Sequence, residues 1–419
     1  MRKYLRQNQQ AKEKAANRER LSLEAQLPLS ELIAGVRDDI EAFAAELGLT
    51  IIQRVMEAEI QQQLGPWGQQ PVCRHGHQPG YVIFGGRKVT VDRPRLRSRE
   101  DKEVGLASYQ AFQKDGKLQE AVARQGMRQC STRDYEGAIE GCLKGYGMKR
   151  SSVSRHWKAA TAKELERLMQ RPVPKDLLVL MIDSKFFAGD CLVAAIGVDL
   201  QGKKHVLGLW HGATENATVA KGLLEDLVSR GLESERKMLI VLDGAKALRK
   251  AVTMVLGEQG LVQRCRIHKL RNVLDHLPEE KKAQAAWRLR AAWGQKDAQA
   301  AEKELRKTAR WLDGFSPMAA ASLLEGLEET LTVQRLGIRH ALCRTLSNTN
   351  LIENCFAQAA YRTGRVKRWD GPRMILRWTA AALLWAEKSF RRIKGCEQLK
   401  DLQKVLHELE TTSTLKAAY

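Results

Sequence analysis

The sequence predicts an α/β fold in which a sheet of buried strands is flanked by helices and interrupted by an all-helical insertion. Two observations carry this prediction. Apolar runs of strand length occur between residues 177 and 265, and segments with helical spacing separate the later runs, which gives the order βββαβαβα. Residues 274–332, by contrast, contain neither Val nor Ile, and their Ala, Glu, Lys, Arg and Leu favour helix over sheet.

Composition restricts the class of protein before any element is placed. The chain has 419 residues, of which 43% are hydrophobic and 28% charged, so roughly two to four domains with sizeable cores are expected. Lys and Arg total 70 against 49 Asp and Glu, and the net charge of +21 favours a polyanionic partner. Nucleic acid is the first candidate, and an anionic membrane surface is the second.

Three further features predict a cytoplasmic protein. Residues 1–10 are basic and polar and lack the apolar stretch of a secretory signal. The longest apolar runs, residues 177–182 and 380–386, are far shorter than the ~20 residues of a membrane span. Eight scattered cysteines are too sparse for a disulfide scaffold and indicate thiols in a reducing compartment.

The first two regions are predicted to be helical and then β-rich. Residues 1–65 form a helical region behind a charged tail, because apolar residues recur at helical spacing from position 32 to position 47. Residues 66–116 change to Gly, Pro and alternating β-branched residues, which predicts a small hairpin. Metal binding by Cys73, His75 and His77 is weighed here, but no second pair of ligands accompanies them, so a solvent-facing loop is preferred.

Residues 117–172 are predicted to form a helix-turn-helix DNA-binding domain. Ser151 or Ser152 is placed to cap the second helix, which would turn Val153 and Trp157 toward the core. An ordinary helical hairpin with a solvated basic face is the alternative. The residues that the second helix would offer to a DNA groove are Ser152, Ser154, Arg155 and Lys158.

Residues 173–275 hold the first part of the α/β core. The first three strands resemble an antiparallel meander, and helices are predicted at residues 216–230 and 245–256. The predicted strands are residues 177–182, 191–198, 205–210, 237–242 and 261–265.

The remaining regions are the insertion, the completion of the core and a tail. Residues 276–345 form the insertion, and residues 346–396 complete the core with a helix that begins after Ser347-Asn-Thr-Asn and with a basic helix. Residues 397–419 form the tail. In the insertion, Trp287, Trp293 and Trp311 either stack on an unpaired base at a cleaved DNA end or pack in a core. Residues 361–395 carry ten basic side chains and two acidic ones, and those predicted to hold phosphates include Arg365, Lys367 and Arg368.

Two of the predicted strands end in an aspartate, Asp183 and Asp243. Ligands gather at the carboxyl ends of strands, and a charge after a buried run is costly unless it is solvated, paired or metal-bound. Phosphoryl transfer to water or a sugar hydroxyl uses two divalent cations about 4 Å apart, and Mg²⁺ prefers carboxylate oxygens. Glu353, at the start of the helix after the insertion, is the candidate third carboxylate. Its rivals, which lie inside the insertion, are Glu325, Glu328 and Glu329.

Taken in order, these residues resemble the bacterial insertion-sequence transposases of the Mutator type, which have a DDE catalytic core. The resemblance covers most of the chain, and its most specific part is the pair Asp-Gly-x-x-x-Leu and Cys-x-x-His-Lys. The motifs that carry it are Ser131-Thr-Arg, Ser152-Val-Ser-Arg, Asp243-Gly-Ala-Lys-Ala-Leu, Gln263-Arg-Cys-Arg-Ile-His-Lys-Leu-Arg-Asn272 and Thr349-Asn-Leu-Ile-Glu353-Asn.

The resemblance implies an RNase H-like catalytic core with an all-helical insertion, preceded by helical and helix-turn-helix DNA-binding domains. It implies that Asp183, Asp243 and Glu353 hold two Mg²⁺ ions, for which Mn²⁺ can substitute. His268 would contact the scissile phosphate or orient Asp243. The implied reaction is binding of terminal inverted repeats, hydrolytic cleavage of the DNA ends and joining of the 3′ hydroxyls to target DNA. Double-stranded DNA in the bacterial nucleoid is the expected partner, with a homodimer or higher homo-oligomer pairing two ends.

Two other functions stay open. A structure-selective nuclease of the same fold would use identical carboxylates and stop after hydrolysis, and a non-catalytic DNA-binding regulator would need only the helix-turn-helix. Cys265 and His268 are also weighed as zinc ligands. A structural zinc site usually needs four ligands, and no second pair lies nearby, so a supporting role for His268 and a packing role for Cys265 are preferred.

Overall fold

The computed structural model describes residues 29–64, 71–84, 87–113, 127, 150–187, 189–212, 216–364, 366 and 368–417. The chain divides into two compact units, Met1–Ala160 and Thr161–Tyr419. The division falls inside one helix, Arg150–Gln170, which belongs to the region predicted to bind DNA. Among the helices of these residues, none has both the length and the apolar character needed to cross a membrane.

The first unit packs a long helix on a small antiparallel sheet. Ile52, Met56 and Ile60 recur every four residues, so they share one helix face, and this face is buried against Val82 and Leu96 of the sheet. The predicted amino-terminal helix and the hairpin are therefore confirmed. The elements are α1 (Leu29–Leu64), β1 (Val72–Phe84), β2 (Arg87–Ser98), β3 (Glu103–Val104), α2 (Ala107–Gln113) and α3 (Arg150–Gln170).

Two local predictions in this unit are wrong. Cys73, His75 and His77 are solvent-facing as expected, but they lie in β1 rather than in a loop, because this part of β1 pairs with β2 around a bulge. Ser151 and Ser152 lie inside α3 and therefore do not cap it. The first helix and the turn of the predicted helix-turn-helix, residues 128–149, lie outside the described residues.

The second unit is built on a mixed five-stranded sheet with the strand order β6-β5-β4-β7-β8. β4, β5 and β6 form the predicted antiparallel meander, while β7 pairs in parallel with both β4 and β8. The predicted order βββαβαβα is confirmed. The elements are β4 (Leu177–Phe187), β5 (Asp190–Asp199), β6 (Lys204–Gly212), α4 (Ala217–Ser229), β7 (Met238–Leu242), α5 (Lys246–Leu256), β8 (Gly260–Arg264) and α6 (Arg266–Leu274).

The sheet has a different covering on each face. Leu180 and Ile182 of β4 belong to a buried cluster with Leu223 of α4 and Val252 of α5. Because side chains alternate across a strand, Asp183 lies on the face opposite Ile182. That face is covered by helices that follow the insertion: α12 (Asn350–Thr363), α13 (Pro372–Glu387) and α14 (Leu399–Ala417).

Residues 276–345 are helical throughout their regular structure, as predicted, and contain no strand. Their leucines form a separate core that includes Leu289, Leu305 and Leu323. The elements are α7 (Glu279–Trp293), α8 (Ala298–Asp313), α9 (Pro317–Leu324), α10 (Thr332–Arg335) and α11 (His340–Leu346).

Candidate active site

Asp183 and Asp243 lie at neighbouring positions on one edge of the sheet. Ile182 of β4 pairs in parallel register with Leu242 of β7, and each is followed directly by its aspartate. The backbone N–H of Ser184 donates to Asp183 Oδ1 at 2.9 Å, and that of Ala245 donates to Asp243 Oδ1 at 2.8 Å. Asp243 is therefore oriented by the backbone immediately after β7. Asp183 lies inside β4, where it pairs with Ala194 of β5 just beyond the last residue pair with β7. The predicted strand end at residue 182 is wrong, because β4 continues to Phe187 along β5.

Asp183 is buried in a negatively charged environment. Its residue surface is only 6% exposed. Burial, followed by the negative charge of Asp243, raises the pKa of Asp183 to about 7, and Glu353 adds to the effect. The hydrogen bond from Ser184 and the positive charge of His268 lower this pKa but do not cancel the increase. The protein thus holds an acidic group where a nearby cation would stabilise the ionised form.

Glu353 enters the site from the first turn of α12. The hydroxyl of Thr349 donates to Glu353 Oε1 at 2.7 Å. Thr349 occupies the position before the helix, where the sequence predicts a cap, but its side chain makes no capping hydrogen bond to the helix backbone. The helix start is confirmed, and the side chain predicted to serve it serves the carboxylate instead.

A second cluster, formed by Cys265, His268 and Glu353, surrounds the same Thr349 hydroxyl. Within the described residues, the ligand atoms of these three side chains lie within 4.8 Å of one another. Thr349 Oγ1 lies 3.3 Å from Cys265 Sγ, 3.3 Å from His268 Nδ1 and 2.7 Å from Glu353 Oε1. The hydroxyl oxygen therefore occupies the space that a shared metal ion would need, and hydrogen bonding accounts for this cluster.

The pKa values of Cys265 and His268 shift in opposite directions. The hydrogen bond with Cys265 is the main cause that raises the pKa of His268, and the charges of Glu353 and Asp243 add to it against burial. Burial tends to raise the pKa of the Cys265 thiol, but hydrogen bonds with His268 and Thr349 outweigh burial and lower it. Cys265 is thus buried, as predicted, and also polarises His268.

A cavity of about 370 Å³ opens between β4 and α12. Asp183 and Glu353 both line it, so this cavity joins two of the three predicted carboxylates. Sequence reasoning missed its other polar lining residues, Lys185, Asn350 and Asn354. The periodicity of the elements could have indicated two of them, since Lys185 follows Asp183 by two strand positions and Asn350 precedes Glu353 by three helix positions.

The rival glutamates of the insertion are engaged by cations. Glu325 Oε2 lies 3.1 Å from Arg264 Nη2, and Glu329 Oε1 lies 2.7 Å from Arg249 Nε. Glu328 lies 3.8 Å from both Arg306 and Arg335. These ion pairs account for the three carboxylates without a metal, which favours Glu353 as the third ligand.

The three tryptophans of the insertion have different environments. Trp293 is buried in the insertion core and its Nε1 donates to Thr330 Oγ1 at 3.2 Å, so packing, the alternative to base stacking, accounts for it. Trp287 is 69% exposed and is free to meet a base. Trp311 is half-buried, with Arg288 over its ring at 4.5 Å from the centroid.

The residues predicted to bind DNA are described in part. On α3, Ser154, Arg155 and Lys158 are exposed, and Val153 and Trp157 are buried as predicted. Arg368 is exposed. In the basic stretch Arg377 is an exception, because it is 8% exposed and donates to Thr161 Oγ1 at 3.0 Å. The side chain of Ser152 and residues Arg365 and Lys367 lie outside the described residues.

Comparisons with known proteins agree over most of the length. A model of the family described as "Transposase, Mutator family" matches residues 22–390. The chain is similar to the transposase for insertion sequence element ISRM5 of Rhizobium meliloti (strain 1021), with 26% identity over 371 residues that cover 84% of this chain and 90% of the relative. It is also similar to the transposase for insertion sequence element IST2 of Acidithiobacillus ferrooxidans, with 32% identity over 212 residues, covering 51% of this chain and 70% of the relative.

Proposed function

The chain belongs to the Mutator family of transposases, and from that membership we propose that it is a DDE transposase with an RNase H-like core. It binds the terminal inverted repeats of its element, hydrolyses the DNA ends and joins the 3′ hydroxyls to target DNA. A homodimer or higher assembly holds two ends together.

The observation that carries the proposal is the placement of three carboxylates from distant parts of the chain. Asp183 and Asp243 each follow directly the last residue pair between β4 and β7, and Glu353 lines the same cavity as Asp183. The pKa of Asp183 responds first to burial and then to the charges of Asp243 and Glu353, which supports a common electrostatic environment. Structural ion pairs do not explain such an arrangement, because like charges repel.

The residues fit divalent magnesium. All three donors are hard carboxylate oxygens, which Mg²⁺ and Mn²⁺ prefer, and the raised pKa of Asp183 supports a need for positive charge. Asp183, Asp243 and Glu353 would together hold two such ions. When bound, the ions supply an activated water or hydroxyl and stabilise the developing phosphate charge.

The protein side chains supply orientation. A hydroxyl carries one proton, and the 2.7 Å contact makes Glu353 the acceptor of the Thr349 proton. Thr349 Oγ1 then accepts from His268 Nδ1–H, 3.3 Å away, which leaves Nε2 of His268 for a phosphate oxygen or a water. Lys185 and Asn354 line the cavity beside the carboxylates, where they are placed to hold the DNA backbone.

The test is cleavage of a duplex that carries the element's terminal repeat. Asp183→Asn, Asp243→Asn and Glu353→Gln are each expected to abolish Mg²⁺-dependent cleavage while leaving end binding within a few fold. Asp190→Asn is the matched control, because its carboxylate pairs with His211 at 3.0 Å on the next strand. Full cleavage by Glu353→Gln would exclude Glu353 as a metal ligand.

The same assay separates the alternatives. Joining of the cleaved 3′ end to a second duplex is expected of a transposase. Cleavage without joining would support the structure-selective nuclease. Binding without cleavage by the wild-type chain in Mg²⁺ or Mn²⁺ would support the regulator.

A further inference from the structure

A second cavity, of about 310 Å³, opens between α5 and the end of α9. We call it the basic cavity. Its walls include Leu242 and Gly244, the two residues that flank Asp243 along the chain, and it shares no lining residue with the cavity of Asp183 and Glu353. The charged residues that line it are Lys246, Arg249, Lys250, Arg264, Glu325 and Glu329.

Cations outnumber carboxylates in the basic cavity and converge on one of them. Glu325 lies 3.1 Å from Arg264, 3.6 Å from Lys246 and 3.7 Å from Lys269, which is buried behind the wall. The Glu325 side chain is nevertheless 46% exposed, and that of Lys246 is 90% exposed. Three cations therefore favour an anion at the position of the Glu325 carboxylate. This carboxylate is exposed enough for an anion from solution to take its place.

Arg264 is fixed in the wall before any ligand arrives. It is 7% exposed, and its Nη1 donates to the Glu325 carbonyl at 3.0 Å. Gly244 and Gly326 have φ values of +107° and +61°, and a Cβ on either glycine would clash with the guanidinium. Within the described chain, Arg264 Nε has no hydrogen-bond partner. The guanidinium therefore holds a set position and keeps an unsatisfied donor.

Arg249 pairs with Glu329, but the two lysines of the cavity contribute little to the fold. Lys250 is exposed and forms no ion pair with any residue that the structure describes. The Lys246 ammonium lies 3.6 Å from Glu325, and its side chain is mostly in water. A surface ion pair of this kind contributes about 0–1 kcal/mol to stability. Both lysines lie on α5, which begins three residues after Asp243, and their spacing of four residues places them on one face of the helix.

We propose that the basic cavity binds a backbone phosphate of the DNA strand, next to the phosphate that reacts at the carboxylates. The proposal rests on the proposed function, because it takes DNA as the substrate. Lys246 and Lys250 pair with the phosphate, Arg264 forms its rear wall, and Glu325 is the internal anion that the phosphate displaces. These cations also offset the repulsion between DNA and the three active-site carboxylates.

The test measures DNA binding in the absence of divalent metal. A short fluorescent duplex carrying the terminal repeat is titrated with the full chain at several salt concentrations. The double variant Lys246→Ala, Lys250→Ala is expected to bind about tenfold more weakly and to reduce the slope of log affinity against log salt by about 0.9, the value for one phosphate contact. Glu325→Gln is expected to bind several fold more tightly, because the competing anion is gone.

The matched control is Lys303→Ala, Lys307→Ala, which removes two charges from exposed positions of α8 in the insertion. It is expected to change affinity less than about twofold. Ethylation of single phosphates then locates the contact, since one ethylated position should weaken wild-type binding and no longer weaken the Lys246, Lys250 variant. Equal losses in both double variants, or unchanged binding by Glu325→Gln, would overturn the proposal.

The outcome is separable from that of the proposed function. If the wild type binds and cleaves its ends while the two double variants behave alike, only the basic cavity is refuted. If the wild type neither binds nor cleaves them, both proposals are refuted.

Discussion

At the scale of single residues, Thr349 links more of the candidate site than any predicted residue does. It is fully buried, and its hydroxyl contacts Glu353, His268 and Cys265. One oxygen atom thereby relates the helix that carries the third carboxylate to the helix that carries the histidine. The position of Glu353 is set by a side chain four residues earlier rather than by packing alone.

Thr349→Val tests this arrangement, because it removes the hydroxyl with little change of volume. We expect Mg²⁺-dependent cleavage to fall about 10–100-fold and the required Mg²⁺ concentration to rise, as for other residues that orient metal ligands. Thr349→Ser should restore most of the activity. Nitrogen chemical shifts of labelled His268 give a second readout, because the variant lacks the Thr349 hydroxyl that would accept from His268 Nδ1–H.

Thr363→Val is the control for this substitution. Thr363 is buried at the other end of α12, and among the described residues its hydroxyl bonds only to the carbonyl of Ala360, so its loss should lower stability without changing the Mg²⁺ requirement. If Thr349→Val cleaved DNA as the wild type does and His268 kept its wild-type nitrogen shifts, the positioning role of Thr349 would be contradicted.

The sequence was informative about some site residues and silent about others. Asp183 and Asp243 were predictable, because a charge directly after a continuous buried run has few structural explanations. The continuation of β4 past Asp183 was not predictable, because it depends on pairing with β5. Thr349 and Lys185 were not, because Thr is common before helices and Lys is common on surfaces. Their significance depends on contacts with residues more than eighty positions away, such as that between Thr349 and Cys265.

At the scale of elements, the segment from Gln263 to Lys269 contacts both the candidate site and the insertion. Cys265 and His268 face Thr349, whereas Gln263 and Lys269 are buried against the insertion. Gln263 Nε2 donates to the carbonyl of Thr330 at 3.0 Å, and Lys269 Nζ donates to the carbonyl of Glu325 at 2.7 Å. The same strand and helix therefore position the site and anchor the insertion.

Lys269→Met tests the anchor. Burial lowers the pKa of Lys269 to about 8, and its ammonium satisfies the carbonyls of Ser322 and Glu325. Methionine fills the same space but leaves both carbonyls unpaired, so urea unfolding should show a loss of about 2–4 kcal/mol. Lys303→Met, at an exposed position on α8, should change the unfolding free energy by less than about 0.5 kcal/mol. Equal stability of the two variants would show that the ammonium contributes nothing to the anchor.

The exposed face of α3 carries the prediction on DNA sequence recognition. If Arg155 reaches a base edge, Arg155→Ala should lose about 1–3 kcal/mol of affinity for the terminal repeat and little for a scrambled duplex. Arg167→Ala removes the same charge from an exposed position near the other end of the helix. It should not change affinity for the terminal repeat relative to the scrambled duplex. Competition titrations at one salt concentration measure both. Equal losses on the two duplexes would make α3 a backbone-contacting helix.

Periodicity predicted elements better than it predicted their ends. The buried strands and the insertion were predictable, because strand-length apolar runs and a long segment without Val or Ile each fit one kind of structure. Local details were less predictable. The strand around His75 reads as a polar loop, because this part of β1 is exposed, and its pairing with β2 is a property of the partner strand.

At the scale of the whole molecule, the candidate site lowers the stability of the metal-free protein above neutral pH. The pKa of Asp183 is raised from 3.8 to about 7, so the folded chain holds a proton that the unfolded chain releases between these values. Its contribution to stability is therefore fully present below about pH 4 and is lost as the pH rises through 7. Asp183→Asn removes this loss.

We expect the metal-free Asp183→Asn chain to be more stable than the wild type by about 1–3 kcal/mol at pH 8, with a smaller difference near pH 5. Urea unfolding in a chelator, across this pH range, measures the difference, and other titrating groups cancel between the two chains. Added Mg²⁺ should stabilise the wild type and not the variant. A difference that does not change with pH would contradict the raised pKa.

The position of Glu353 after the insertion has a consequence for the order in which a ribosome produces the protein. A nascent chain that has passed the insertion already contains α3, which is predicted to bind DNA, and both aspartates, but not Glu353. A product that stops within the insertion would keep the first unit and the residues of the sheet, while losing α12 and with it Thr349 and Glu353. On the proposed mechanism, such a product occupies element ends without cutting them. A premature stop there would thus convert one gene's enzyme into its competitor.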